Sequence, residues 1–254
     1  MNILISNDDG IHAKGLQVLA KHLAQRHAVS IVAPDRERSA IGHAITLDLP
    51  IRVQAVPING FSSAYAVSGT PADCIKLALM ELLDEKPDLM ISGINPGANV
   101  GVNVFYSGTF AAAREATLYG IPAMAVSIQG GAPDHYETAA ATAAELAEYI
   151  GRKGLPPGTL LNVNMPDAPR GRLRGYRWSR QAISPFRESI EKRMDPWNRP
   201  YYWQGAVNSP EFTNPRVDSA ALADNHIAIT PIKCDMTDND MIEDLKAWDL
   251  GIKG

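Results

Sequence analysis

Residues 1–34 read MNILISNDDGIHAKGLQVLAKHLAQRHAVSIVAP, and this stretch decides the fold. Residues 2–6 are a short apolar run stopped by a polar turn, the pattern of a strand buried on both faces. From Lys14 to His27, the residues Leu16, Leu19, Ala20 and Leu23 recur at helical spacing, which predicts an amphipathic helix. Residues 28–34 predict a second buried strand. Strand, helix and strand within about 30 residues make a βαβ unit. Its strands should run parallel, joined by a right-handed crossover.

The rhythm continues beyond this unit. Residues 44–56 and 64–68 hold short β-prone runs, read as an antiparallel excursion. Pro71 stands at the favoured first position of a helix over 72–83. Strands are expected at 87–93, 121–128 and 158–166, and helices at 109–120, closed by Gly120, and from a capping Asp134 to about Ile150. Alternation of this kind means a doubly wound α/β sheet with helices on both faces. After about residue 170 the character changes. Arg170, Arg172, Arg174, Arg177, Arg180 and Arg187 crowd one stretch, and Pro185, Pro196, Pro200, Pro210 and Pro215 follow, with YYW at 201–203. This reads as an extended arm or hairpin with exposed aromatics. The basic stretch suits either a polyanion or a solvated arm. A strand returns at 225–232. Thr237 and Asp240 have capping-box spacing before a last helix, so the acidic run at 235–244 is a helix start and not an EF-hand.

Bulk properties narrow the classes. The 254 residues suffice for one large α/β domain, and a net charge of −4 lacks the basic footprint of a nucleic-acid binder. Two distant cysteines, Cys74 and Cys234, form neither a disulfide framework nor a zinc spacing and read as small core residues. No basic leader and no membrane-length apolar run is found, so a cytoplasmic protein without membrane partners is expected.

In open α/β sheets, ligands bind beyond the carboxyl ends of the strands. The loops there are Asn7-Asp8-Asp9-Gly10, residues 35–46 and residues 93–109. Two like charges about 4 Å apart cost on the order of 4 kcal/mol at an effective dielectric of 20. The plain reading of Asp8 and Asp9 is one helix cap and one solvated acid. Two in a row behind a central strand favour a hard divalent cation, to which Ser39 and Asn95 can add neutral oxygens; such a donor set suits Mg²⁺, Mn²⁺ or Ca²⁺. Ser107, Gly108 and Thr109 enter a helix, as an ordinary N-cap or as a phosphate site built on free N–H donors. His43 is read either as a polar loop residue or as the group that protonates a leaving group. His12, His22, His27, His135 and His226 are taken as surface or structural residues. The sequence has no dinucleotide fingerprint, P-loop, nucleophile elbow or H-E-x-x-H.

The blocks ILISNDDGIHAKG, VAPDRERSAIGHAIT, SGTPADC, SGINPGANVG, YSGTFAAAREA and IAITPIKCDMT resemble, in order and spacing, the SurE family of metal-dependent 5'/3'-nucleotidases. The resemblance implies a Rossmann-like three-layer α/β/α domain over 1–254, with its core at about 1–170 and 221–254 and an arm at about 171–220 that exchanges between subunits as a hairpin. It places Asp8, Asp9, Ser39 and Asn95 on the metal ligands, with Asp8 and Asp9 also catalytic. It places Ser107, Gly108 and Thr109 on the phosphate loop. It further implies one divalent ion (Mg²⁺ or Mn²⁺, with Ca²⁺ able to occupy the site), a dimer or tetramer, and activity on nucleoside 5'-monophosphates, extending to 3'-monophosphates and short polyphosphate. The chain departs from the pattern at Ala116, where a glycine is expected after the glutamate. The competing readings are a non-catalytic metal- and nucleotide-binding module of the same fold, and an α/β transferase using a sugar nucleotide.

Overall fold

The computed structural model describes residues 1–58, 60–61, 64–183, 188–206 and 214–248. Its strands are β1 (Asn2–Ser6), β2 (Ala28–Pro34), β3 (Val53–Ala55), β4 (Ala64–Val67), β5 (Leu89–Pro96), β6 (Ala123–Ile128), β7 (Thr159–Met165), β8 (Tyr176–Trp178), β9 (Glu188–Met194), β10 (Pro200–Ala206) and β11 (Ile227–Lys233). Its α-helices are α1 (Lys14–Leu23), α2 (Pro71–Leu77), α3 (Gly108–Leu118), α4 (Tyr136–Lys153), α5 (Asp218–Ala223) and α6 (Asn239–Leu245). A nine-stranded sheet runs β3-β4-β2-β1-β5-β6-β7-β11-β8, and β9 pairs with β10 in a separate hairpin. The central strands β4, β2, β1, β5, β6 and β7 are mutually parallel, whereas β3 and β11 run antiparallel to β4 and β7.

Alternation along the strands feeds two apolar layers. Ile3, Ile5, Ile31, Ile91, Val126 and Val163 pack under α1 and α4. Leu4, Val32, Met90, Ala125 and Leu160 pack under α2 and α3. The three-layer α/β/α expectation therefore holds. On α1, Leu16, Leu19 and Leu23 are fully buried, each contributing about 1.5–3 kcal/mol by burial. The connections β5–α3–β6 and β6–α4–β7 step the same way across the sheet, yet α3 and α4 lie on opposite faces. They therefore have opposite hands. The α1 and α2 connections share the hand of α3, leaving the α4 crossover as the exception among four.

Local boundaries differ from the sequence reading in several places. The helix α1 ends at Leu23, and Arg26 and His27 turn back onto the Leu23 carbonyl. The helix α2 runs seven residues and continues as a π-helical stretch over Ala78–Leu82. The strand β5 extends to Pro96, which carries Asn95 to the sheet edge. Gly120, at φ +73°, follows α3 as expected. Asp134 does not cap α4. His135 holds the cap position, and the Asp167 carboxylate, from the loop after β7, accepts the N–H groups of Asp134 and His135. That carboxylate, brought from a distant loop, ties down the two residues ahead of the helix, and the His135 side chain makes no cap hydrogen bond. Thr237 is displaced likewise: Asp238 caps α6 by accepting from Met241 N at 3.0 Å. The segment from 171 onward is not wholly an arm, since β8 joins the sheet edge beside β11. The hairpin β9–β10 stands apart from the sheet, with Ile190, Tyr202 and Trp203 exposed. Pro185, Arg187 and Pro210 lie outside the described residues. Cys74 is buried and Cys234 half-buried, and both thiols are free.

Candidate active site

The first loop is built by Asn7. Fully buried at the end of β1, it accepts from Gly10 N at 3.2 Å and donates to Gly10 O at 3.0 Å, closing a tight turn. Asp8 and Asp9 sit on that turn, between the ends of β2 and β5. This is the crevice where successive connections leave on opposite faces of the sheet, the usual ligand position in this class. Two neighbours hold Asp8. Arg38 N donates to its carbonyl at 2.7 Å, which fastens the second loop to the first. The Thr109 hydroxyl donates to its Oδ1 from the first turn of α3. A Cβ on Gly108 would lie 2.7 Å from the Asp8 Cβ, so glycine alone lets the helix rest on this side chain.

The electrostatics mark this turn as incomplete. Burial pushes the Asp8 carboxyl up, against the Thr109 hydroxyl and the backbone amides of Gly108 and Thr109. Burial first, then the charges of Asp8 and Glu37, push Asp9 up to about 7. The Asp9 Oδ2 is buried without a hydrogen-bond partner. A buried charged acceptor left unpaired is costly and calls for an explanation in an ion or ligand.

A cavity of about 500 Å³ opens over this turn. It brings together Asp8, Asp9, Ser39, Asn95 and Ser107 from the sequence-derived set, and adds Glu37, Asn99, Asn103 and Tyr106. Asn95 Nδ2 donates to Gly97 O at 2.7 Å, which leaves the oxygen of its amide for another partner. Ser39 Oγ donates to Glu37 Oε1 at 2.5 Å, so the oxygen keeps its lone pairs. None of the described lining residues is Lys, Arg or His, while three are carboxylates. Among the described residues no three His, Cys, Asp or Glu gather as a metal cluster; the donor set here is two adjacent carboxylates with neutral oxygens. Glu37 was missed because it is one charge in a charged loop, and Asn99 and Asn103 because lone amides carry no spacing signal.

Gly108, Thr109 and His43 do not line this cavity. Thr109 is fully buried and its hydroxyl hydrogen is on Asp8. Ser107 caps α3, with its Oγ accepting from Phe110 N at 3.0 Å. His43, from the second loop, meets α3 farther along, at Arg114 and Glu115. Arg114 Nε donates to its Nδ1 at 2.6 Å, so the proton of the neutral ring sits on Nε2, 2.5 Å from Glu115 Oε2. Asn99 is held from beneath: its N–H donates to Asn164 Oδ1, its Nδ2 to Ser127 Oγ, and its carbonyl accepts from Asn162 and Asn164.

The model of the family described as Survival protein SurE matches residues 3–188. The chain belongs to the SurE family. A protein named 5'-nucleotidase SurE from Desulfatibacillum aliphaticivorans is 51% identical over 248 residues, covering 98% of each chain. Its namesake from Syntrophobacter fumaroxidans is 45% identical over 250 residues, covering 98% of this chain and all of that one. The crystal structure of the SurE protein from Aquifex aeolicus superposes with a TM-score of 0.87 at 32% identity, covering 97% of this chain and 98% of that one. The SurE likeness carried by the motif blocks thus extends through the whole fold, including the segment after residue 170.

Proposed function

We propose that the chain hydrolyses nucleoside 5'-monophosphates to nucleoside and phosphate in the cavity over Asp8 and Asp9, with one divalent cation, Mg²⁺ or Mn²⁺, bound there. The relatives named 5'-nucleotidase support the reaction class. The observation that carries the site is the unpartnered, buried Asp9 Oδ2 beside a second carboxylate, in a cavity whose described lining has no cationic side chain. A phosphate dianion entering such a cavity meets only like charge unless a cation accompanies it.

Asp8, Asp9, Ser39 and Asn95 fit an oxygen-seeking ion and would hold it. When bound, it neutralises phosphoryl charge and makes an attacking water more acidic. The chain's own groups then divide the work. Thr109 spends its only hydroxyl hydrogen on Asp8, so it orients the ligand and does not touch phosphate. Ser107 Oγ accepts from Phe110 N, which leaves its hydroxyl hydrogen to donate to a phosphoryl oxygen at the entrance of α3. Gly108 provides the close approach between that turn and Asp8. His43 has both ring nitrogens engaged by Arg114 and Glu115; it ties the second loop to α3 and is not the leaving-group acid in this geometry.

Nucleoside 3'-monophosphates and short polyphosphate share the phosphoryl group that this site engages and belong to the same proposal as further substrates. The exposed apolar side chains of β9–β10 support a homo-oligomer, dimer or tetramer, assembled through the arm. Two free cysteines suit a cytoplasmic setting, and no helix of the described residues is long and apolar enough to cross a membrane. The test is phosphate release from AMP, in EDTA and after Mg²⁺ or Mn²⁺ is restored. Release abolished by EDTA and recovered with metal is expected. Undiminished release in EDTA removes the metal from the proposal, and metal and nucleotide binding without release leaves only a binding module.

A further inference from the structure

Asp218, at the start of α5, is fully buried and takes no part in the chemistry above. Its Oδ2 accepts from Gly101 N at 2.9 Å, and its Oδ1 accepts from Ala182 N at 3.2 Å and from Ser219 N at 2.8 Å. Burial pushes the carboxyl up, against these backbone donors. An acid that served only its own helix would need Ser219 N alone, whereas the other two bonds reach residues 117 and 36 positions away in the chain. Both oxygens accept at once, which a carboxylate can do and an amide cannot, because the amide nitrogen would face an N–H.

Gly101 is gripped from a second side. Gln181 Nε2 donates to its carbonyl at 2.8 Å, and a Cβ there would lie 2.9 Å from Ala182 O, at a φ of +59°. This clamped residue opens the 3₁₀ turn Gly101–Phe105, which leads to Ser107 at the cap of α3. Within it, Asn103 O accepts from Ser107 N at 3.1 Å, so the turn sets where the Ser107 hydroxyl stands. Two residues before Gly101, Asn99 is fastened to β6 and β7. The loop is therefore tied to the sheet at Asn99 and to residues 180–182 and 216–218 at Gly101. Those two segments flank the hairpin β9–β10 in the chain and are joined to each other: Arg180 N donates to Arg216 O and Asp218 N to Arg180 O, each at 2.9 Å.

We propose that Asp218 is a positioning residue of the active site: by holding Gly101 N it fixes the turn that presents the Ser107 hydroxyl to the phosphoryl group. The inference rests on the nucleotidase reading above and adds a residue from outside the cavity lining. Asp218 acts through Ser107, so its effect on the reaction depends on that hydroxyl being present.

The experiment is a double-mutant cycle on the full-length protein, with AMP and saturating Mg²⁺ or Mn²⁺. Asp218→Asn keeps the shape but leaves one oxygen for three donors, and kcat/KM should fall on the order of 10–100-fold, the scale of a displaced contact. In a Ser107→Ala background the same change should lower kcat/KM by less than about threefold, because the hydroxyl it places is already gone. The rise in melting temperature on adding Mg²⁺ should match the parent's, since Asp8, Asp9, Ser39 and Asn95 all precede the clamped residue. An unchanged kcat/KM in Asp218→Asn overturns the proposal. So does an equal factor in the two backgrounds, which is what a merely structural role gives, and so does a smaller Mg²⁺ shift. If Asp218→Asn does not fold by far-UV circular dichroism, Gln181→Ala carries the test. It leaves the carboxylate in place, releases Gly101 O, and should lower kcat/KM in the parent but not in the Ser107→Ala background; no loss in the parent, or equal losses in both, overturns the proposal. Failure of the underlying nucleotidase reading shows elsewhere, as a parent protein that releases no phosphate from AMP.

Discussion

Two sets of buried acids flank the helix α3, and they are treated in opposite ways. Near its C-terminal half, Glu115 is almost fully buried and fully compensated. His43 Nε2 lies 2.5 Å from one carboxylate oxygen and Lys76 Nζ 3.2 Å from the other. Burial works to raise its pKa, but hydrogen bonds from His43 and Lys76, then the charge of Lys76, hold it below the ordinary range. Near the N-terminus, Asp8 and Asp9 are pushed up, and one Asp9 oxygen has no partner. One end of the helix thus bears a structural acid that the fold satisfies, and the other rests on a pair of which the fold leaves one oxygen, Asp9 Oδ2, unsatisfied. Compensation within the chain marks architecture, while its lack in a cleft marks a place for a ligand.

The largest test of that contrast is Asp9→Asn. Phosphate release should fall on the order of 10³-fold, the scale of losing an electrostatic stabiliser from a preorganised site. The metal-free variant should also melt higher than its parent, because the repulsion with Asp8 is gone. A lower melting temperature would place Asp9 with Glu115 and break the comparison.

Next in size is metal itself. At about 100 times its dissociation constant, a cation bound only by the folded state adds about 2.7 kcal/mol. Differential scanning calorimetry with Mg²⁺ or Mn²⁺ should therefore show a higher midpoint for the parent and little shift for Asp9→Asn.

Thr109→Val removes the hydroxyl that orients Asp8. A loss of about 10–100-fold in activity is expected, the range for partners of metal ligands, with the far-UV circular dichroism unchanged. Glu115→Gln should cost about 1–3 kcal/mol in urea unfolding through weaker charged hydrogen bonds, with phosphate release at 25 °C falling less than tenfold.

A further test is in pH, where the two sites differ in sign. Asp9 rises from 3.8 to about 7 on folding, so between these values the folded state holds a proton that the unfolded state has lost. Its contribution to metal-free stability declines as pH rises through that window and is level above it. Glu115 has its pKa lowered, so it stabilises above its ordinary value of 4.5 and loses that contribution as pH falls. Melting temperatures of the metal-free parent and Asp9→Asn from pH 5 to 8 check this: the decline assigned to Asp9 should be missing from the variant.

Much of the candidate site was legible in the chain because it is local. Asp8 and Asp9 follow a strand whose apolar run cannot be read otherwise, and Ser107 precedes a helix that needs a cap. The roles within the site were not legible. The resemblance puts Thr109 on the phosphate loop, yet its hydroxyl donates to Asp8; the loop position lets His43 be either a polar loop residue or a leaving-group acid, yet Arg114 and Glu115 engage both its nitrogens. A polar side chain has several partners of similar energy, and only the tertiary structure decides which one is within reach.

The same division holds for the whole molecule. By itself the sequence determined the βαβ rhythm, the central strands and helices to within a few residues, and the loops at the carboxyl edge, because periodicity, glycine and proline act over short range. Only the tertiary structure decided the strand order, the antiparallel β11, the opposite hand of the α4 crossover, the anchoring by Asp167 of the chain ahead of α4, and the convergence of Glu37, Asn103 and Tyr106 on one cavity. Each of these depends on contacts between residues far apart in the chain, whose energies no local pattern records.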